Sequence, residues 1–126
     1  MRDMLKRIFV ALVLVVAACS KSAAPPPTST GKDPVAARSL IEKGAVVIDV
    51  RTADEFAGGH LPDATNIAVE DFGAHLGDVD KLVAGDHAHP IVVYCAGGKR
   101  AAKAKAQLEA AGYTHVVNGG GYDDLH

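Results

Sequence analysis

Cys95-Ala96-Gly97-Gly98-Lys99-Arg100 brings a thiol, two glycines and two cations together within six consecutive residues. The segment follows an apolar β-branched run, Ile91-Val92-Val93-Tyr94, and leads into an alanine-rich stretch of helical character. An unperturbed thiol, with a pKa of about 8.5, is mostly protonated at neutral pH. A helix N-terminus and neighbouring cations favour the thiolate, which is the nucleophile. Gly97 and Gly98 let the backbone turn tightly with its N–H groups inward, a geometry that holds an anion. The loop therefore suits nucleophilic attack by sulfur inside an anion-binding cradle. A buried, inert cysteine closing a core strand is the competing reading. It gives no purpose to two bases at a helix start, where positive charge opposes the macrodipole.

The surrounding chain must place this loop. Asp33-Pro34 reads as an N-cap followed by proline at the first helical position, opening a short amphipathic helix that stops at Gly44. Ala45 to Val50 is a continuous apolar run, as for a strand covered on both faces. Thr52-Ala53-Asp54-Glu55 has capping-box spacing and predicts a brief helix closed by Gly58-Gly59. Ala64 to Ala68 reads as a short strand, Glu70 to Leu76 and Asp80 to Ala84 as helical turns, and Gly85 to Pro90 as a loop. Ile91 to Tyr94 is the clearest strand after the first. Arg100 to Ala111 is the clearest helix, with its lysine and glutamine positions toward solvent and Gly112 as its stop. His115 to Asn118 forms a last strand before Gly119-Gly120-Gly121 and a short tail. Strands alternating with helices predict an α/β fold with a mostly parallel sheet and helices on both faces. Ligands in such folds sit beyond the carboxyl ends of strands, which is where Cys95 falls.

The N-terminal part of the 126-residue chain reads as targeting rather than fold. Arg2, Lys6 and Arg7 precede an apolar run of eleven residues, Ile8 to Ala18, too short to span a bilayer and of the length of a secretory signal. Val16-Ala17-Ala18-Cys19 resembles the lipobox of bacterial lipoproteins. That resemblance implies a signal peptide over 1–18 and a lipidated Cys19 as first residue of the mature protein, held at a membrane on the periplasmic or extracytoplasmic side of a bacterial envelope. An ordinary cleavage near Ala18 is the alternative. Residues 19–32 include Pro25-Pro26-Pro27 and lack an apolar period, as in a semi-rigid tether.

Residues 33–126 then form one small domain. Loss of 1–18 takes the formal charge from −2 to −4. With no basic stripe, nucleic-acid binding has little support. The only other cysteine is Cys19, so Cys95 is left without an internal disulfide partner if Cys19 is lipidated.

Within the domain, Asp49-Val50-Arg51, Glu55-Phe56, Gly59-His60-Leu61-Pro62, Ala64-Thr65-Asn66-Ile67, Tyr94-Cys95 with Gly98 and Arg100, Ala110-Ala111-Gly112-Tyr113 and Val117-Asn118-Gly119-Gly120-Gly121-Tyr122 resemble the rhodanese family in order and spacing. The likeness is closest to single-domain periplasmic rhodaneses. It implies a three-layer sandwich about a mostly parallel sheet of about five strands, and sulfurtransferase activity without a cofactor. Cys95 would take sulfane sulfur from thiosulfate or a related donor as a persulfide and pass it to a thiol or cyanide. Backbone amides from Ala96 to Ala101, including those of Gly97 and Gly98, would cradle the persulfide, while Lys99 and Arg100 attract the anion. A non-enzymatic persulfide carrier acting with a partner protein is the alternative. The chain is expected to be a monomer.

Four residues separate Cys95 from Arg100. Phosphatases of the same general fold have one more, so this smaller ring suits sulfur better than a phosphoryl group. Asp49 and Arg51 line the active-site rim or, as the favoured reading, form an internal ion pair that holds loops. His60 is expected to hydrogen-bond its turn. His75, His87 and His89 lack a second cluster at ligand spacing, and no metal is expected. Asp63 stands where many rhodaneses have glycine, and Ala96 and Ala101 replace polar loop residues often found in the family.

Overall fold

The computed structural model describes residues 31–126; the expected signal peptide over 1–18, Cys19 and most of the expected tether lie outside the described residues. Four strands, β1 (Val46–Asp49), β2 (Thr65–Asn66), β3 (Ile91–Cys95) and β4 (Val116–Gly121), form a sheet in the order β2-β1-β3-β4. Every pairing is parallel. The helices are α1 (Pro34–Glu42), α2 (Ala53–Ala57), α3 (Leu76–Leu82), α4 (Lys99–Ala110) and α5 (Tyr122–Leu125), with a 3₁₀ segment at Val69–His75.

The α/β architecture is the expected one, with four strands among the described residues where about five were implied. The long connection between β2 and β3 is helical, as its sequence predicts. Its apolar residues Val69, Phe72, Leu76 and Val79 recur at helical spacing and pack on one side of the sheet.

Period-two alternation sorts the strand side chains into two layers. Ile48, Ile91, Val93 and Cys95 pack with Phe72, Val79, Ala101, Ala104 and Leu108 beneath the 3₁₀ segment, α3 and α4. Val47, Val92 and Tyr94 face the other way, against Ala37 of α1 and Leu125 of α5. Each fully buried aliphatic side chain here contributes about 1.5–3 kcal/mol of transfer free energy. Cys95 thus sits on the α4 side of the central strand, at its carboxyl end.

Local signals behave as their chemistry requires. Asp33 Oδ1 accepts from the Ala36 N–H at 3.0 Å, and Pro34 opens α1. Thr52 Oγ1 accepts from Glu55 N at 3.2 Å, while Glu55 Oε1 accepts from Thr52 N at 3.0 Å, completing the capping box of α2. One expectation fails. Lys105 does not face solvent: it is 5% exposed, and its Nζ reaches Glu109 Oε2 at 2.7 Å. The helix packs against the 3₁₀ segment as well as the sheet, so the lysine stem covers apolar surface while its ammonium reaches an acid one turn on.

Candidate active site

A register irregularity in the sheet lies next to the thiol. Val93 pairs with Asn118, but Cys95 pairs with Gly121, so β4 carries one extra residue across this interval. Gly120 takes up the bulge at a φ of +93°, a backbone region that favours glycine. Asn118 closes it: its Oδ1 accepts from Gly120 N at 2.9 Å, and its Nδ2 donates to Gly98 O at 2.9 Å. The side chain, 2% exposed, therefore ties the bulge of β4 to the loop after β3.

Gly98, at a φ of +107°, turns the chain into α4. That turn aims two backbone donors at sulfur: Gly98 N–H reaches Cys95 Sγ at 2.9 Å and Ala101 N–H at 3.4 Å. Ala101 N belongs to the first helical turn, whose N–H groups have no partner within the helix. Cys95 itself is 1% exposed. Burial alone would suit an inert core cysteine; two convergent amides at a helix N-terminus distinguish it as a place where negative charge on sulfur is stabilised. Ala96 and Gly97 form the exposed lip of the loop, and Lys99 is exposed beside them. Within the loop, the amides of Gly98 and Ala101 are the ones that reach Sγ itself.

Arg100 is paired. Its Nη1 and Nη2 donate to Glu55 Oε1 and Oε2 at 2.7 and 3.1 Å. The Arg100 hydrogen bonds, followed by that from the Thr52 backbone, hold the Glu55 carboxyl down at about 2. Glu55 reciprocally raises the guanidinium pKa, and the charges of Cys95 and Glu70 add to that rise. Arg100 is thereby within electrostatic reach of the thiol and also of two carboxylates.

Asp49 and Arg51 form the internal ion pair. Arg51 Nε and Nη2 donate to Asp49 at 3.0 and 2.6 Å, and Arg51 N donates to Asp49 Oδ1 at 2.9 Å. Nη2 also reaches Gly59 O at 2.6 Å, so the pair braces the loop after α2. The guanidinium lies over the Tyr122 and Tyr94 rings, 4.9 and 5.7 Å from their centroids. Tyr94 OH accepts from Leu61 N at 3.0 Å, and burial pushes its phenol up to about 12. His60 is exposed; its Nδ1 lies 2.9 Å from Phe56 O and its ring stacks on Phe56 at 3.6 Å. It closes the end of α2, consistent with hydrogen-bonding its turn.

Two of the other histidines pair with acids. His75 pairs with Asp78 at 2.8 Å, and His87 pairs with Asp80 at 2.7 Å and stacks on Tyr113. Among the described residues, no three histidine, cysteine, aspartate or glutamate side chains gather as a metal site. Two site residues carried no role in the sequence reading. Glu55 stood as a helix cap and in the family match, and Asn118 as a strand end and in the same match. The glycine-rich sequence after Asn118 was the available signal for a side chain closing a bulge.

Residues 33–125 match the family model of the rhodanese-like domain. The chain belongs to the rhodanese-like family. This rhodanese-like domain is 37% identical over 92 residues to the thiosulfate sulfurtransferase GlpE of Pseudomonas savastanoi pv. phaseolicola, covering 69% of the chain and 78% of that relative. It is 32% identical to the thiosulfate sulfurtransferase PspE of Escherichia coli, over 62% of the chain and 71% of the relative. A tRNA uridine(34) hydroxylase of Buchnera aphidicola is also 32% identical, but the match covers only 25% of that longer protein. Among solved structures, a rhodanese with anions from E. coli superposes with a TM-score of 0.58 at 32% identity, over 65% of this chain and 92% of the other. The human single-domain sulfurtransferase TSTD1 gives 0.59 at 31% identity, over 69% and 86%.

Proposed function

We propose that this domain is a thiosulfate sulfurtransferase working through a persulfide on Cys95. The observation that carries the reading is the pair of amides on Sγ, at 2.9 and 3.4 Å, at the start of α4. Donors fixed in the backbone stabilise a thiolate without reorganising. The Cys95 thiolate attacks the outer sulfur of thiosulfate. A Cys95–sulfur bond forms, the sulfur–sulfur bond of the donor breaks, and its electron pair leaves with sulfite. An acceptor thiolate or cyanide then attacks the outer persulfide sulfur, and the Cys95 thiolate departs.

The near-complete burial of Cys95 suits this chemistry. A buried sulfur beneath the exposed Ala96-Gly97 lip would keep bulk water from the persulfide. Lys99, exposed and without a hydrogen bond or ion pair among the described residues, is the cation nearest in sequence that can meet the incoming anion.

The test is thiocyanate release from thiosulfate and cyanide by the purified domain. The reading requires turnover that Cys95→Ser abolishes. Stoichiometric loading without turnover would favour a carrier module, and turnover that survives the substitution would exclude the mechanism. The cell-envelope placement belongs to the same proposal, resting on the signal-like run and Cys19. Membrane fractionation should find the wild-type chain membrane-bound and Cys19→Ala released or mislocalised. Unchanged attachment of that variant would refute lipidation.

A further inference from the structure

The mouth of the cysteine loop carries less positive charge than its sequence suggests. Both terminal nitrogens of Arg100 are taken by the two oxygens of Glu55. Glu70 acts on the same guanidinium through its charge. Of the two bases in the loop, Arg100 is thus paired with a carboxylate, while Lys99 is exposed. Glu55 is held in place from its own side as well, by the Thr52 backbone and hydroxyl at 3.0 and 3.1 Å. Hydrogen bonds from two directions thus hold the Glu55 carboxylate against Arg100.

We infer that Glu55 is a specificity-determining residue that sets how strongly the site penalises negative charge on the sulfur donor. The inference rests on the sulfurtransfer reading and concerns which class of donor that site prefers. Glu55 spends the Arg100 cation, so a dianion such as thiosulfate gains less from the site than a donor bearing one charge or none. A persulfide of low charge is then the donor class served best. Loss of the Glu55 charge releases Arg100 to the donor, with a benefit that grows with donor charge.

Glu55→Gln isolates this effect, because glutamine also completes a capping box and α2 keeps its start. The experiment compares two donors with the same transferable outer sulfur: thiosulfate, a dianion, and methanethiosulfonate, a monoanion. The Cys95 thiolate attacks the terminal sulfur of either; sulfite leaves from the first and methanesulfinate from the second. For a charge about 6 Å from the donor in a water-like dielectric, KM falls about tenfold for the dianion and about threefold for the monoanion. The kcat for each donor stays within about twofold. Asp54→Asn removes a neighbouring exposed acid of the same helix turn and moves neither KM. Equal changes for both donors would reduce Glu55 to a structural role. A rise in KM for thiosulfate would show that Glu55 presents Arg100 productively, and would overturn the inference. Wild-type protein that takes sulfur from neither donor would remove the sulfurtransfer reading itself, an outcome distinct from either of these.

Discussion

Gly121 is the position where a single methyl group reaches the chemistry without touching it. Its φ of −105° and ψ of 162° suit any residue, so substitution by alanine introduces no backbone strain of its own. The effect is steric. An added Cβ would overlap the Ala96 carbonyl oxygen, lie 2.9 Å from the Ala96 carbonyl carbon and 3.4 Å from Gly97 N. Ordinary contact distances require the loop to retreat by roughly 1 Å. Overpacking against backbone costs about 1–3 kcal/mol. A displacement of that size beside the nucleophile costs about a hundredfold in rate. Gly121→Ala should therefore lower the urea midpoint modestly and kcat/KM for thiosulfate by about two orders of magnitude, measured as thiocyanate release. Gly97→Ala is the matched control, because nothing lies within 4 Å of its added Cβ. It should stay within about 0.5 kcal/mol of the parent in stability. If Gly121→Ala keeps the parental rate, or Gly97→Ala does equal harm, the close approach of β4 to the loop does not position the cysteine.

Three further outcomes follow from other contacts. Asp49→Asn removes the charge partner of Arg51, which is 7% exposed, and should cost about 3–5 kcal/mol in chemical denaturation. Asn118→Ala breaks the hydrogen bonds to Gly98 O and from Gly120 N; a loss of about 1–3 kcal/mol is expected, with kcat falling further than the folded fraction explains. The Glu55 carboxyl, held at about 2 against an ordinary 4.5, contributes stability that is present above pH 4.5 and lost as pH falls toward 2. Its pair is about a third exposed, so solvent screening keeps the effect below about 1 kcal/mol. The gap in urea midpoint between wild type and Glu55→Gln should narrow across that window.

Much of the fold was legible because local signals agreed with tertiary demands. Asp33-Pro34, the Thr52–Glu55 box and the apolar β-branched runs at 45–50 and 91–94 each produced the element their chemistry favours. The burial of Lys105 was hidden because helical periodicity marks an apolar stripe but not how many neighbours cover it. The bulge opposite Cys95 was hidden because it depends on the register of two strands about 25 residues apart. At the site, the thiol and its turn could be read from spacing, since glycine and a helix start are local features. The Glu55–Arg100 pair could not, because those residues lie 45 positions apart and meet only once α2 and α4 share the carboxyl edge of the sheet.

The central claim is that Cys95 accepts sulfur. Intact-mass and peptide mass spectrometry of the domain after thiosulfate treatment tests it most directly. A gain of one sulfur atom, mapped to Cys95, reversed by cyanide and absent in Cys95→Ser, is the predicted result. A chain that gains no sulfur, or gains it elsewhere while Cys95 stays unmodified, would contradict it.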